Sequence, residues 1–207
     1  MAFSSNSYYS TLLEEAVNSI SSLPGVGRKT ALRHCLHLLN QPKENVDHFA
    51  RSIADFRANI CFCPNCNMIT DEPASCEFCA DRSRDRSKIC VVASVRDVIS
   101  IEATGQYHGL YHVLGGVISP INGVGPSDLS IDLLAQRCVG DLEIIFALSS
   151  DVEGETTAFY IYRRLSGNPA LKFTTLARGL GFGDDLEYAD EITLGRSIAA
   201  RCPFVMK

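Results

Sequence analysis

The sequence has no long hydrophobic run and no excess of positive charge. None of its apolar stretches approaches the roughly 20 residues that a membrane-spanning helix needs. The opening residues, MAFSSNSYYS, have neither the basic flank nor the apolar core of a signal peptide, so we expect a cytoplasmic chain. The formal net charge of −5 excludes a uniformly basic nucleic-acid-binding surface, although it leaves room for a local basic patch.

The overall composition is that of a globular protein. With 207 residues, of which 46% are hydrophobic and 21% are charged, the chain can bury a sizeable core in one or two domains. Nine cysteines without an export signal indicate a reducing compartment, where thiols stay free or bind metal.

Four cysteines form two CxxC pairs, Cys63-Pro64-Asn65-Cys66 and Cys76-Glu77-Phe78-Cys79. Each pair places two sulfurs on one side of a tight turn, so together they predict one structural Zn²⁺ with four thiolate ligands. Such an ion can fix a turn-rich segment that has little apolar content of its own. Unrelated buried cysteines or a redox CxxC are weaker interpretations. Cys61 could compete with Cys63, which we prefer because only Cys63 gives two matching CxxC turns.

A helical hairpin is predicted near the N-terminus. Apolar residues recur at helical spacing over residues 8–22 and 31–39, and Gly25 and Gly27 form a tight turn between these helices. Backbone N–H groups at such a turn, at the start of a helix, can bind an anion. Lys29 and Arg33 project from one helical face beside the turn, and no acidic residue lies between positions 23 and 39.

The hairpin resembles the helix-hairpin-helix motif, which grips the DNA backbone without reading bases. A plain hairpin with a solvated basic face is the alternative, and the absence of acidic residues favours phosphate binding. Contacts of this kind are salt-sensitive and independent of sequence. The candidate DNA-binding residues are Gly25, Gly27, Arg28, Lys29 and Arg33.

Two further segments lead into the C-terminal half. A third amphipathic helix is predicted over residues 46–60, ahead of the cysteine pairs. Residues 81–88 follow those pairs with four basic and two acidic side chains, and they can be a solvated linker or a second DNA-facing strip.

From residue 89 onward, short strands alternate with helical patterns. The predicted strands are 89–93, 109–117, 142–148 and 171–176, and the predicted helices are 95–103, 131–137 and 155–165. This alternation predicts a mostly parallel sheet covered by helices, with functional residues at the carboxyl ends of the strands.

An acidic loop, residues 149–155 (SSDVEGE), follows the third of these strands. It resembles the Toprim domain of topoisomerases and primases, in which a Glu after the first strand and an Asp-x-Asp pair hold magnesium. The corresponding residues here are Ala93, Ser149 and Asp151, so two of three carboxylates are missing and a two-metal catalytic centre is not expected. The loop would bind an ion weakly or contact a partner through Asp151, Glu153 and Glu155.

The order of helix-hairpin-helix, four-cysteine segment and Toprim domain resembles the bacterial RecR family of recombination mediators. Segments 111–116 (YHVLGG), 177–180 (ARGL) and 185–191 (DLEYADE) also match that family, so the resemblance covers nearly the whole chain. It implies an α+β multidomain fold. The implied parts are a helical domain at 1–60, a zinc finger at 61–80, an α/β Toprim domain at 88–178 and a C-terminal assembly segment at 179–207.

The resemblance also implies a function. Members of the family are non-enzymatic DNA-repair factors that form a ring-shaped tetramer able to encircle DNA. They work with RecO, and in some settings RecF, to load RecA onto single-stranded DNA coated by its binding protein. A ring reconciles DNA binding with the acidic net charge, because basic hairpins would line the hole. The acidic run 184–191 would then belong to an assembly interface, or else be a solvated turn and helix start. A nucleoid-associated cytoplasmic protein is expected.

Some positions depart from the family pattern. Ala93 stands where Glu is usual, Arg28 where Pro is common, and Gly181 where Pro is usual, and the spacer between the cysteine pairs is one residue longer. Two alternatives therefore stay open. An active Toprim nuclease or topoisomerase would show magnesium-dependent nicking. A zinc-dependent interaction module that never touches DNA is disfavoured by Lys29 and Arg33.

Overall fold

The computed structural model describes residues 10–177, 191 and 193–195, and the chain divides into two compact units at Ile60. The predicted assembly segment at 179–207, with Gly181 and nearly all of the acidic run 184–191, lies outside the described residues except at positions 191 and 193–195. Within the described ranges, no helix is long and apolar enough to cross a membrane.

The first unit consists of three helices: α1 (Thr11–Ser21), α2 (Arg28–Leu39) and α3 (Lys43–Asn59). Helices α1 and α2 pack on each other around the buried residues Val17, Ala31 and Cys35. The Ser10 side chain accepts a hydrogen bond from the Leu13 N–H and caps α1, as is typical of serine at this position. Helix α3 buries none of its residues.

The second unit begins with the cysteine segment and continues into a sheet. The segment contains an antiparallel pair of short strands, β1 (Cys61–Phe62) and β2 (Ile69–Thr70), and a one-turn helix α4 (Glu77–Ala80). The elements that follow are β3 (Asp85–Val92), α5 (Val95–Glu102), β4 (Gly109–Val113), α6 (Ile131–Arg137), β5 (Leu142–Ala147), α7 (Val152–Leu165) and β6 (Leu171–Thr175).

Strands β3 to β6 form one four-stranded sheet in the order β4-β3-β5-β6, and every pair in it is parallel. Crossover helices connect the strands, as parallel pairing requires. The predicted fold class, a helical N-terminal region followed by a four-cysteine segment and a parallel α/β domain, is confirmed.

The two faces of the sheet carry different cores. Alternate residues of β3 point to opposite faces, so Ile89 and Val91 pack with α6 and α7 on one face, where the core includes Leu134, Ile161 and Leu165. Cys90 and Val92 face the other way and pack with α5 and the cysteine segment, and that core includes Cys63, Cys66, Met68, Cys76 and Val98. The cysteine segment therefore shares its core with the sheet, which its turn-rich sequence did not predict.

Three element boundaries differ from the predicted ones for local reasons. Strand β3 begins at Asp85 rather than at residue 89, so half of the charged run 81–88 belongs to the sheet. Strand β4 ends at Val113 rather than at residue 117, because Gly115 turns the chain with a φ of 90°. Helix α7 begins at Val152 rather than at residue 155, because the Asp151 side chain caps it.

Candidate functional site

The turn between α1 and α2 exposes backbone donors. Gly25 has a φ of 79°, a left-handed conformation that favours glycine, and Gly27 is the N-cap of α2. A Cβ atom built on either glycine would meet nothing within 4 Å, so the turn faces open space. In this described region no side chain caps α2 at Gly27, and the first N–H groups of a helix have no acceptor within it. This end of α2 can therefore receive an anion.

The basic side chains of this turn divide into two kinds. Lys29 and Arg33 are exposed on α2, a helix that contains no acidic residue. Arg28 is half-buried, and its Nη1 donates to Oδ1 of Asn18 on α1 at 2.7 Å. The guanidinium of Arg28 therefore braces the two helices against each other, whereas Lys29 and Arg33 extend the positive charge of the turn into solvent. That these residues contact DNA stays a prediction.

The four predicted cysteine ligands come together. The Sγ atoms of Cys63, Cys66, Cys76 and Cys79 all lie within 4.8 Å of one another, and three of the four residues are buried. The Cys66 and Cys76 sulfurs are 3.3 Å apart. Zn–S bonds of roughly 2.3 Å place the sulfurs of a tetrahedral site roughly 3.8 Å apart, so the cluster could hold a zinc ion. In the part of the chain that the structure describes, this is the only group of three or more metal-binding side chains.

Cys61 lies outside this group. Its Sγ donates to the carbonyl oxygen of Thr70 across the β1–β2 pair, at 3.1 Å. The geometry therefore favours Cys63 over Cys61 as the first ligand, the choice that the CxxC spacing indicated.

Contacts among the sulfurs favour a thiolate within the cluster. Hydrogen bonds from Cys66 and then from Cys79 hold the pKa of the Cys76 thiol well below its ordinary value. The same contact with Cys76 raises the pKa of Cys66, and burial acts in the same direction. Metals bind cysteine as thiolate, so a thiolate here is suited to a cation.

The first CxxC turn is joined to the end of strand β4. Asn67 follows Cys66 with a φ of 59°, a left-handed conformation that asparagine tolerates. Its Nδ2 donates to the Val113 carbonyl at 2.9 Å, and the Val113 N–H donates to the Cys66 carbonyl at 2.9 Å. The backbone N–H of Cys76 donates to Sγ of Cys63 at 3.3 Å, which links the second CxxC turn to the first.

The second CxxC turn is held by residues that the sequence analysis did not single out. The ring of Phe78 lies edge-on to Tyr111 of β4, with 5.3 Å between centroids. The guanidinium of Arg84 lies 4.7 Å from the Phe78 centroid and donates two hydrogen bonds to the Glu102 carboxylate. Glu102 is eighteen residues from Arg84, so nothing in the local sequence marked this contact. Arg86 donates to the Cys79 carbonyl at 3.1 Å.

These contacts narrow both interpretations of the charged run 81–88 at Arg84, while Arg82 and Arg86 are exposed and a DNA contact through them stays a prediction. The Arg84 side chain is only 13% exposed and is paired inside the unit, so it is neither part of a solvated linker nor directed at DNA. Arg86 binds backbone carbonyls of the cysteine segment, and Lys88 pairs with Asp85 at 2.8 Å.

The acidic loop forms the N-terminal end of α7. Oδ1 of Asp151 accepts hydrogen bonds from the Gly154 N–H at 2.7 Å and the Ser149 hydroxyl at 3.0 Å. These bonds, with that from Gly154 the larger cause, lower the pKa of Asp151. Glu153 accepts a short hydrogen bond from the Ser119 hydroxyl, and Glu155 is exposed.

The loop is closely packed at Gly154. No residue with a side chain fits there, because a Cβ atom would collide with the Ser149 carbonyl oxygen. Ala93, at the end of β3, offers no carboxylate. The structure thus shows no carboxylate at Ala93 or Ser149, where the resemblance places two of the three Toprim carboxylates, and Asp151 at the third position caps α7.

Comparison with known proteins identifies the same parts in the same order along the chain. The RecR helix-hairpin-helix family matches residues 13–57, the Toprim domain family matches residues 87–177, and the RecR C-terminal family matches residues 179–202. Recombination protein RecR of Flavobacterium johnsoniae is 53% identical over 199 residues, covering 95% of this chain and 96% of that protein.

Relatives from other bacteria agree with this match. Recombination protein RecR of Bacteroides thetaiotaomicron is 54% identical, with 95% of this chain and 96% of the relative covered. That of Porphyromonas gingivalis strain W83 is 52% identical, with 95% of each chain covered. The recognition from motif order is confirmed, and the chain belongs to the RecR family of recombination proteins.

Proposed function

We propose that this chain is a non-enzymatic recombination mediator that binds DNA without sequence preference. With RecO, and in some settings RecF, it helps to load RecA onto single-stranded DNA coated by its binding protein. The observation that carries this proposal is the open, basic turn at α2 in a chain of the RecR family. A cytoplasmic, nucleoid-associated protein follows from this role.

DNA contact runs through the backbone of the turn. A phosphate would accept hydrogen bonds from the uncapped N–H groups after Gly27, where the helix dipole adds positive potential. Lys29 and Arg33 add charge from the same helix without reading bases. Arg28, held by Asn18, keeps the turn in place and contributes less directly.

The cysteine cluster binds one structural Zn²⁺. The four thiolates would fill a tetrahedral coordination sphere and leave no position open for a reacting water, so the ion acts as a cross-link. It joins two CxxC turns that are bonded to strand β4 and to the sheet core. Zinc is favoured over magnesium or calcium because all four ligands are sulfur.

Assembly into a ring tetramer completes the proposal. Helix α3 presents a stripe of exposed apolar residues that nothing in the described part of its own unit covers: Phe49, Ile53 and Phe56 are 52%, 58% and 58% exposed. A stripe at helical spacing is typical of a face that packs on another helix. A ring built through such faces would place the basic turns around DNA.

A non-enzymatic role fits the acidic loop. Asp151 caps α7, Glu153 is engaged by Ser119, and the positions of the other two Toprim carboxylates hold Ala93 and Ser149. Asp151 and Glu155 are exposed, so the loop presents negative charge that a basic surface on a partner protein can contact.

The test is a reconstituted loading reaction. RecA filament formation is followed on single-stranded DNA coated with its binding protein, with RecO present and with or without this chain. We expect loading to require both RecO and this chain. Loading that proceeds equally well without it, on the same coated DNA, would refute the mediator role.

A further inference from the structure

Two of the four cysteine ligands lie at a helix of a single turn: Cys76 is the N-cap of α4, and Cys79 lies within it. Cys76 and Cys79 flank Phe78, and α4 spans only Glu77–Ala80. A single helical turn is unstable in isolation, because its few hydrogen bonds do not offset the entropy of fixing the backbone. The positions of these two sulfurs therefore depend on what packs against α4.

The packing on α4 centres on Phe78. Its ring meets Tyr111 edge-on at 5.3 Å, and Tyr111 in turn meets Tyr107 at 5.1 Å. The guanidinium of Arg84 lies 4.7 Å from the Phe78 centroid and 5.8 Å from the Tyr111 centroid. Arginine stacks favourably on aromatic rings, and here the guanidinium packs against one side of this aromatic cluster.

The position of Arg84 is itself determined by three other contacts. Its Nη1 and Nη2 donate to the two oxygens of Glu102 at 3.0 and 2.7 Å, and Nη1 also donates to the Gly109 carbonyl at 3.0 Å. Glu102 accepts a further bond from the Tyr111 hydroxyl at 2.6 Å. A two-bond arginine–carboxylate pair is directional as well as strong, and lysine cannot reproduce its geometry.

We infer that Arg84 is a positioning residue for the metal site: it holds Phe78, and through it Cys76 and Cys79, against strand β4. Glu102 at the end of α5 fixes the arginine. The inference rests on the proposed zinc site and adds two residues that touch no sulfur. Groups that orient metal ligands typically change metal affinity by about 10- to 100-fold when removed.

The experiment measures zinc release from the full chain. Protein loaded with one Zn²⁺ is mixed with an excess of a chromogenic chelator, and the release rate is followed at a temperature well below unfolding. We expect Arg84→Met to release zinc about 10-fold or more faster than the parent. Arg84→Lys and Glu102→Gln, which are milder changes, should fall between the two and carry the test if Arg84→Met does not fold.

Two controls separate positioning from general stability. Lys88→Met removes a cation of the same run from a more exposed ion pair, and it should release zinc at the parent rate. Leu134→Ala weakens the core on the opposite face of the sheet, and it should lower the melting temperature without speeding zinc release.

The outcomes distinguish this inference from the zinc proposal on which it rests. If the parent chain binds no zinc under metal-replete conditions, the zinc proposal fails. If the parent binds zinc but the Arg84 and Glu102 variants release it at the parent rate, the positioning role is refuted and the zinc site stands. Equally fast release from Leu134→Ala would also refute that role, because it would trace the effect to overall stability.

Discussion

Lys29 and Arg33 of the helical unit and Arg84 of the sheet unit are basic residues in opposite environments. In the helical unit, Lys29 and Arg33 are exposed, and the apolar stripe of α3 is left uncovered by that unit's described residues. In the sheet unit, Arg84 and Glu102 are turned inward to hold the cysteine segment. Basic residues that look alike in the sequence are thus exposed to solvent in one unit and paired within the fold in the other.

Among the changes that test this contrast, loss of the exposed basic residues should have the largest effect, and that effect is on DNA affinity. Replacing Lys29 and Arg33 together by Ala should abolish measurable binding at physiological salt, because in the proposed ring both charges would act on the DNA backbone in every subunit. Anisotropy of labelled DNA checks this at several salt concentrations. Removing one cation that neutralises a phosphate should flatten the dependence of log affinity on log salt by about one.

A matched variant removes two positive charges from the sheet unit instead. Arg82→Ala with Lys88→Ala should weaken DNA binding much less, although the change in net charge is the same. Loss of binding in this variant, with parent-like binding in the hairpin variant, would mean that the DNA surface lies in the other unit.

The next largest effect concerns the cysteine cluster. Cys66→Ser should release zinc and destabilise the sheet unit by about 3 kcal/mol or more, because the cysteine cluster and the sheet share one core. Elemental analysis and thermal unfolding measure the two consequences. Cys61→Ser is the control and should keep zinc, since its thiol bonds to Thr70. Zinc loss in this control alone would show that the ligand was misassigned.

A smaller effect is expected on assembly. Phe56→Asp places a charge in the apolar stripe of α3 and should reduce the molar mass measured by light scattering, with the fold of each unit intact. Ile99→Asp changes a similarly exposed apolar residue of the sheet unit, 62% exposed on α5. A drop in mass for the Ile99 variant only would move the interface from the helical unit to the sheet unit.

Much of the fold could be predicted because its signals are local. Helical periodicity, the CxxC spacing and the alternation of strands and helices each lie within about 20 residues. The predicted helix at 131–137 matches α6, and the four cysteines that lie together are the four whose spacing matched. The family then followed from the order of these segments.

What could not be predicted depends on partners distant in sequence. Arg84 meets Glu102 eighteen residues away, and Asn67 meets Val113 forty-six residues away. Each of these contacts exists only after the sheet has formed. The charged run 81–88 was therefore ambiguous, because charge alone does not show whether a side chain faces solvent, contacts DNA or pairs with another residue of the fold.

His112 also contacts residues distant in sequence, Ser130 and Arg137. Because its side chain is buried, we expect a moderate dependence of the protein's stability on pH. The side chain is fully buried, with Nε2 at 2.8 Å from the Ser130 carbonyl, and Arg137 donates to Nδ1 at 3.2 Å. Burial, aided by the charge of Arg137, lowers its pKa from 6.5 to about 4. Between these pH values the unfolded chain binds the extra proton, so stability is full above pH 6.5 and falls as the pH approaches 4.

The size of this effect is about 3 kcal/mol across the window, and denaturant unfolding at several pH values measures it. His112→Gln can still donate to Ser130 but cannot take up a proton, so its stability should vary less between pH 6.5 and 4. If the parent and the Gln variant lose stability equally in this range, other groups cause the acid sensitivity.

The smallest expected effect is that of magnesium on DNA integrity. The acidic loop keeps Asp151, which caps α7, while Ala93 and Ser149 supply no carboxylate. A phosphoryl-transfer centre needs carboxylates that hold the metal against the phosphate, so we expect no nicking of supercoiled DNA by the pure protein with millimolar Mg²⁺. Asp151→Asn should leave this baseline unchanged and change thermal stability little, because asparagine caps a helix about as well as aspartate. Cleavage that requires magnesium and disappears in Asp151→Asn would instead show that the acidic loop of the sheet unit is a catalytic site that acts on DNA.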